Sequence, residues 1–275
     1  MIAQAVEVGS VGTLFRYPVK SMMGEELNLV SVNSKGIVGD RLYALTDLTS
    51  GKIASAKNPS KWPSLFSFRA AYTAPLNGGP VPAVRITMPN GDTILSDSET
   101  VNDVISYALG KPVRLLGGAP EASTLEEYWP DIEGLPKRDE VTDEAMPTQT
   151  FFDLAMVHLL TTATLDELHR LYPQGRAEPR RFRPNIMIST PPELTGFVEK
   201  DWIGKVLAIG DEVKFKITGP CPRCVMTTLA QGDLPRDAGI LKTALKHNNA
   251  QVGIYASVLQ GGKIRRGDVV RLEEE

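Results

Sequence analysis

Glu212-Val213-Lys214-Phe215-Lys216-Ile217 runs almost directly into Gly219-Pro220-Cys221-Pro222-Arg223-Cys224. The first six residues alternate in polarity as a half-buried strand does, and the Gly-Pro pair marks its end. The second six hold both cysteines of a 275-residue chain. A thiol beside a fixed guanidinium ionises more easily, and the thiolate is the form that attacks sulfur or binds soft metals. Half a zinc site would need a second pair of ligands. No further cysteine exists, and His158, His169 and His247 lack paired ligand spacing. A thioredoxin-like redox pair opens a helix in a βαβ setting, which these flanks do not offer. The plain alternative is two small buried residues at a strand end. What remains is a single working thiolate on a loop, with Arg223 as its charged neighbour.

Working outward, short segments of alternating polarity recur between frequent turn signals. Strands are expected at 11–17, 27–32, 41–47, 66–72 and 83–88, the last meeting 93–95 through the hairpin-type turn Pro89-Asn90-Gly91-Asp92. Residues 98–109 read as a helix capped by Ser98 and stopped by Gly110. Beyond the middle come an apolar run at 154–160 and a short helix at 164–171. The hydroxyls of residues 161–164 read as its cap and as an anion site at its N-terminus. A strand starts at Arg183, a hairpin spans 202–213, and a strand pair covers 263–272. This pattern predicts a mainly β, α+β fold: a β-rich barrel or sandwich with few short helices. Residues 117–150, rich in Pro, Glu and Asp without sustained period, read as a structureless crossover that covers something. They carry Tyr128-Trp129-Pro130, which a mere tether would not need.

The bulk numbers fit a soluble globular chain: 42% hydrophobic, 23% charged, net charge -3. They give no sign of a nucleic-acid partner. No apolar run approaches the roughly 18–20 residues that span a bilayer, so no membrane association is expected. The first residues lack the charged-then-apolar plan of a signal peptide, so a cytoplasmic location without a stable disulfide is expected. Two cysteines cannot supply the four thiolates of an iron–sulfur cluster. Nucleophile-elbow, P-loop, dinucleotide-fingerprint and zinc-protease motifs are all missing.

Cations gather where strands start or end. Lys20 and Ser21 follow Tyr17-Pro18-Val19, Arg41 follows Gly39-Asp40, and Arg183 and Asn185 lie in Arg180-Arg181-Phe182-Arg183-Pro184-Asn185. Singly, each reads as a solvated surface charge. Together, in a mildly acidic protein, they would suit one small polyanion, since arginine pairs phosphate in bidentate fashion and lysine as a point charge. Asn185 has an amide suited to a heterocycle edge. His158, in an apolar run, reads as a satisfied core histidine. Tyr255 reads as a half-buried strand residue with a hydroxyl available to a ligand.

The order Tyr-Pro-Val-Lys-Ser, Gly-Asp-Arg, Arg-Phe-Arg-Pro-Asn, Cys-x-Arg-Cys before Thr-Thr, and a late Gly-x-Tyr resembles the MOSC proteins. The likeness is to their two-domain branch, which contains the mitochondrial amidoxime-reducing component and its bacterial relatives. It implies a smaller, β-rich N-terminal MOSC β-barrel domain over 1–118, a crossover over 119–150 and a β-barrel MOSC domain over 151–275. It also implies a molybdenum cofactor, a metal-bound pyranopterin, with Cys224 as catalytic residue and molybdenum ligand. Lys20, Ser21, Arg41, Thr161, Arg183, Asn185, Pro222, Arg223 and Tyr255 would bind that cofactor. Pro222 stands where some relatives have serine, so a side-chain hydrogen bond is lost there. The implied activity is reduction of N-oxygenated small molecules, such as amidoximes or N-hydroxylated bases. An external donor of the ferredoxin, cytochrome or flavin-reductase type would supply electrons. The alternative is a cofactor or sulfur carrier with a persulfide on Cys224. The cofactor sulfurases join this domain to a pyridoxal-phosphate desulfurase. The two β-rich domains account for this chain, so pyridoxal phosphate enters only as a family-level label.

Overall fold

The computed structural model describes residues 5–273. Seven strands close a barrel in the order Ile186–Ser189, Val157–Thr161, Gln251–Gln260, Val213–Pro222, Val206–Ile209, Val269–Glu273 and Val6–Arg16, the last pairing back onto Ile186–Ser189. Neighbours run antiparallel except Val157–Thr161 and Ile186–Ser189. A parallel pair needs a crossover, and the helix Thr162–Leu171 lies within it. The alternation that opened the reading is realised: Val213, Phe215 and Ile217 are buried while Lys214 and Lys216 are half-exposed. They join Leu14, Leu159, Ile186, Leu207 and Ile254 in the barrel core.

The strand does not end at Gly219. It continues through Pro222, with register shifts at Lys214/Phe215, Ile217/Gly219 and Pro220/Pro222 against Gln251–Gln260. Such irregularities let a strand carry prolines that cannot donate to the ladder. They leave Cys221 buried and Pro222 exposed, with Arg223 and Cys224 half-buried just past the strand end.

The spatial units differ from the sequence units. Val6–Arg16 belongs to the closed barrel, and Leu29–Asn33 pairs with Gly262–Arg265. The expected strand pair at 263–272 is therefore split: Gly262–Arg265 joins that small sheet, and Val269–Glu273 joins the barrel. What stands apart in the N-terminal region is a pair, Tyr43–Asp47 with Val113–Gly117, and a three-stranded meander, Arg69–Tyr72, Val84–Thr87 and Thr93–Leu95. The helix Val101–Leu109 ends at a left-handed Gly110, but it starts after Thr100 and Ser98 does not cap it. These elements share a second core around Trp62, Leu65, Phe68, Ile86 and Ile105. Met226 is buried in this second core and Cys224 packs against it, so the segment after the barrel strand bridges the two cores.

Residues 117–150 are not structureless. Thr124–Trp129 and Glu140–Ala145 form an antiparallel hairpin. Its pattern escaped the polarity reading because Leu125 and Glu127 both point inward, and one of them is a charge. The helix Ala238–Asn248 was also unforeseen. Asp237 caps it by accepting from the Gly239 amide at 2.8 Å, and Ile240, Leu241 and Ala244 supply its buried face. Among the described residues, no helix is long and apolar enough to cross a membrane.

Candidate functional site

Tyr17 is the hub. It ends the first barrel strand's run, its ring is buried, and its hydroxyl donates to the Pro184 carbonyl at 3.2 Å. The guanidinium carbons of Arg183 and Arg41 lie 4.1 Å and 4.8 Å from its ring centroid. An electron-rich face attracts such cations and holds them in place. Burial pushes the Tyr17 hydroxyl up to about 12, against the pull of Arg183 and Arg41. Asp40 binds the framework together: it accepts from the Tyr17 amide at 2.7 Å, from Asn185 Nδ2 at 3.0 Å, and from Arg41.

Around this hub lies a cavity of about 270 Å³. Lys20, Ser21, Arg41, Arg183, Asn185, Pro222, Arg223, Cys224 and Tyr255 all line it. So do four charged residues the sequence did not single out, Lys57, Asp153, Glu127 and Glu144, and Trp129 of the hairpin. Five cations thus face three carboxylates. Lys57 follows a run of buried small residues, Ala54-Ser55-Ala56, which is the one local hint that it points inward. Asp153 follows Phe151-Phe152, and nothing in that stretch marks it.

Three lining residues stand on left-handed backbone: Ser21 at φ 64°, Arg41 at φ 49° and Arg183 at φ 56°. Non-glycine residues there cost about 1–3 kcal/mol each and persist where the surroundings fix them. The fixing contacts are visible. Arg41 N donates to Tyr17 O at 2.7 Å, and Arg183 N to Pro179 O at 2.9 Å. Ser21 Oγ accepts from Ala56 N at 3.1 Å, which keeps its own O–H as a donor for the cavity.

The charges are paired unequally. Lys20 Nζ donates to Phe151 O at 2.9 Å and forms an ion pair with Asp153. Lys57 pairs with Glu127 at 2.9 Å. Burial favours the neutral form of Asp153, yet Lys20 and Lys57 hold its carboxyl well below the usual range. Arg183 is different. Burial lowers it to about 10, and its Nη2 is buried without a partner among the described residues. Arg223 Nε is likewise buried and unpaired. An unsatisfied buried donor costs about 1–3 kcal/mol, so these two atoms fit a bound acceptor such as an anionic cofactor.

The two cysteines have opposite environments. Arg223 Nη1 donates to Cys221 Sγ at 2.7 Å. Burial raises the Cys221 thiol, but Arg223, with His158 beside it, outweighs that and brings it down to about 6. Cys224 lacks such a partner. Burial pushes its thiol up to about 11, with Lys57 and Arg223 opposing and Glu127 reinforcing. The expected support of Cys224 by Arg223 is present in direction but outweighed by burial, because the guanidinium's hydrogen bond goes to Cys221. A soft metal ion can still displace the Cys224 proton, because the thiol faces the cavity.

Two other expectations change. Asn185 does not offer its amide to a ring. Its Oδ1 accepts from the His158 amide at 3.1 Å and its Nδ2 serves Asp40, so it ties strand starts together. Thr161 does not line the cavity. It caps the helix Thr162–Leu171 by accepting from Thr164 N at 3.1 Å. Its hydroxyl and that of Thr164 donate to buried Glu199 at 2.8 Å and 2.6 Å. The group at that helix N-terminus is the protein's own Glu199 carboxyl, whose ionisation burial disfavours. His158 is satisfied as foreseen, its Nε2 lying 3.3 Å from Val252 O, but it also lines the cavity, edge-on to Tyr255. Of the three clustered arginines only Arg183 faces the cavity. Arg181 is fully buried on four carbonyls, those of Arg176, Thr227, Leu229 and Pro235, and so anchors the chain after Cys224.

The MOSC N-terminal beta barrel domain family matches residues 8–108, and the MOSC domain family matches residues 148–271. The chain is 24% identical over 296 residues to mitochondrial amidoxime reducing component 2 of Rattus norvegicus, covering 97% of this chain and 84% of the relative. Among solved structures it is similar to the YUAD protein of Bacillus subtilis, with a TM-score of 0.50, 12% identity and full coverage of both chains. That second likeness concerns the fold alone. The chain is therefore a MOSC-domain protein, with a MOSC N-terminal beta barrel domain preceding the MOSC domain.

Proposed function

We propose that this protein is a molybdenum-cofactor oxidoreductase that reduces N-oxygenated compounds, with Cys224 as the protein ligand of the metal. The observation that carries the reading is the cavity itself. A neutral thiol, Cys224, opens into a space lined by Arg41, Arg183, Arg223, Lys20 and Lys57, and Arg183 and Arg223 each keep one buried nitrogen without a partner among the described residues. A thiol suits a soft metal, and a wall of fixed cations suits a phosphate-bearing pterin. The amidoxime reducing component named in the comparison gives the reading its reaction class.

When bound, the cofactor supplies a two-electron centre at molybdenum. The chain's own residues do the rest. Arg183 and Arg41, pinned on Tyr17, hold negative charge without reorganising. Ser21 donates its free O–H into the cavity. Arg223 keeps one nitrogen on Cys221 and one on the Phe182 carbonyl at 2.9 Å, so it presents a fixed edge. Asp153 lies between Lys20 and Lys57 and stays ionised; burial pulls both lysines down, and Asp153 helps outweigh it at Lys57 but not at Lys20. Burial pulls the Lys57 ammonium down, but Asp153 and Glu127 outweigh it and hold its proton firmly, so Lys57 serves as a fixed cation of the cavity lining. Electrons come from an external donor of ferredoxin, cytochrome or flavin-reductase type.

The test is turnover. Protein loaded with the cofactor is expected to reduce an N-hydroxylated base with an artificial donor such as reduced viologen. A loaded protein that reduces none with any donor contradicts the reading. Absence of metal together with a labile sulfane sulfur on Cys224 would instead favour a sulfur carrier.

A further inference from the structure

The cavity has a second chemical character on its hairpin side. Glu144 and Trp129 line it together with Cys224. They are coupled: Trp129 Nε1 donates to Thr142 Oγ1 at 2.9 Å, and Thr142 Oγ1 donates to Glu144 Oε1 at 2.7 Å. The register of the hairpin makes this possible, since Glu127 faces Thr142 and Trp129 faces Glu140, so Thr142 and Glu144 follow on the same face. The relay fixes both the indole and the carboxylate. It also uses only one carboxylate oxygen. Among the described residues Glu144 Oε2 has no hydrogen-bond donor and Glu144 no ion pair, while Glu127 and Asp153 are each matched by a lysine. The indole accepts cations: the exposed Lys137 Nζ lies 5.9 Å from its centroid.

A planar group with two N–H donors on one carbon is what a carboxylate edge and an aromatic face recognise together. We infer that Glu144 and Trp129 form a subsite for a planar amidine-type N–C–N edge, distinct in chemistry from the cations that line the same cavity. Two sources carry that edge. One is the amidine or guanidine head that reduction of an N-oxygenated substrate uncovers, and in that case the inference rests on the reductase reading. The other is the guanidine-like edge of the pterin.

The experiment does not depend on turnover. The purified full-length chain is titrated with benzamidine and with neutral benzamide, following indole fluorescence. Trp129→Phe identifies the reporting ring, since Trp62 and Trp202 are buried outside the cavity. Benzamidine is expected to bind at least about tenfold more tightly than benzamide, the scale of one hydrogen-bonded charge. Glu144→Gln is expected to erase that ratio and Glu144→Asp to keep part of it. The same variants are then made in a cofactor-competent host. Unchanged pterin content with retained benzamidine binding by loaded wild type assigns the edge to substrate. Lost pterin in Glu144→Gln, with benzamidine excluded from loaded wild type, assigns it to the cofactor. Equal binding of the two probes by wild type, or a preference that survives Glu144→Gln, overturns the subsite. A protein that shows the preference yet binds no molybdenum would sink the reductase reading and leave the subsite standing.

Discussion

At the residue scale the pair Cys221 and Cys224 is unequal, and the inequality is measurable. Arg223 stabilises the Cys221 thiolate, while burial keeps the Cys224 proton in place. Thiolate absorbance near 240 nm in metal-free protein at pH 7.5 should therefore show one thiolate. It should persist in Cys224→Ala and vanish in Cys221→Ala; the reverse pattern would refute the assignment. The linkage has a definite sign. The folded thiol ionises near pH 6, below the ordinary thiol range near 9. Its stabilisation is present above about pH 9 and declines as pH falls through 6. A denaturation series across that window should lose its slope in Cys221→Ala. The Cys-Pro-Arg-Cys spacing points to a charged thiol, and Arg223 was expected to serve Cys224 with Cys221 structural; the bulged strand sets the guanidinium against Cys221 instead.

Elements explain why some residues were legible and others not. The strand Val213–Pro222 and the helix Thr162–Leu171 follow from local polarity and capping. The hairpin Thr124–Trp129/Glu140–Ala145 does not, because its inward positions include Glu127, whose partner is Lys57, some 70 residues earlier in the chain. A polarity period records burial in a core, not burial beside a charged cavity. Thr161 shows the converse: a hydroxyl in a helix cap looked like a ligand group and is bound to Glu199. Thr161→Ala removes a cap and a hydrogen bond to a buried carboxyl. It should lower stability by about 1–3 kcal/mol in urea denaturation while leaving cofactor content unchanged. Loss of cofactor without loss of stability would restore Thr161 to the site. Met226→Ala, on the segment that joins the two cores, should cost about 2–5 kcal/mol by the same assay.

For the whole molecule the decisive fact is that the barrel takes its closing strand from the chain's beginning. Val6–Arg16 lies between Ile186–Ser189 and Val269–Glu273. Residues 151–275 alone would present two open strand edges, a poor basis for a cooperative fold. That fragment should show no cooperative thermal transition by circular dichroism, whereas the full chain should; a fragment that melts cooperatively would show the strand to be dispensable. The mainly β class was readable because short alternating segments and turn signals are local. The barrel itself was expected from the family resemblance; that Val6–Arg16 closes it was not, because pairing partners some 170 to 260 residues apart leave no trace in a single sequence. The same closure brings Tyr17, Arg41 and Arg183 together and so builds the cavity. The account therefore stands on metal bound there through Cys224. Elemental analysis and pterin fluorescence on protein from a cofactor-competent host test it directly. Wild type should carry about one molybdenum and one pterin per chain, and Cys224→Ala should lose the metal while Cys221→Ala, still folded, keeps a substantial share. Equal molybdenum in wild type and Cys224→Ala, or none in either, would contradict it.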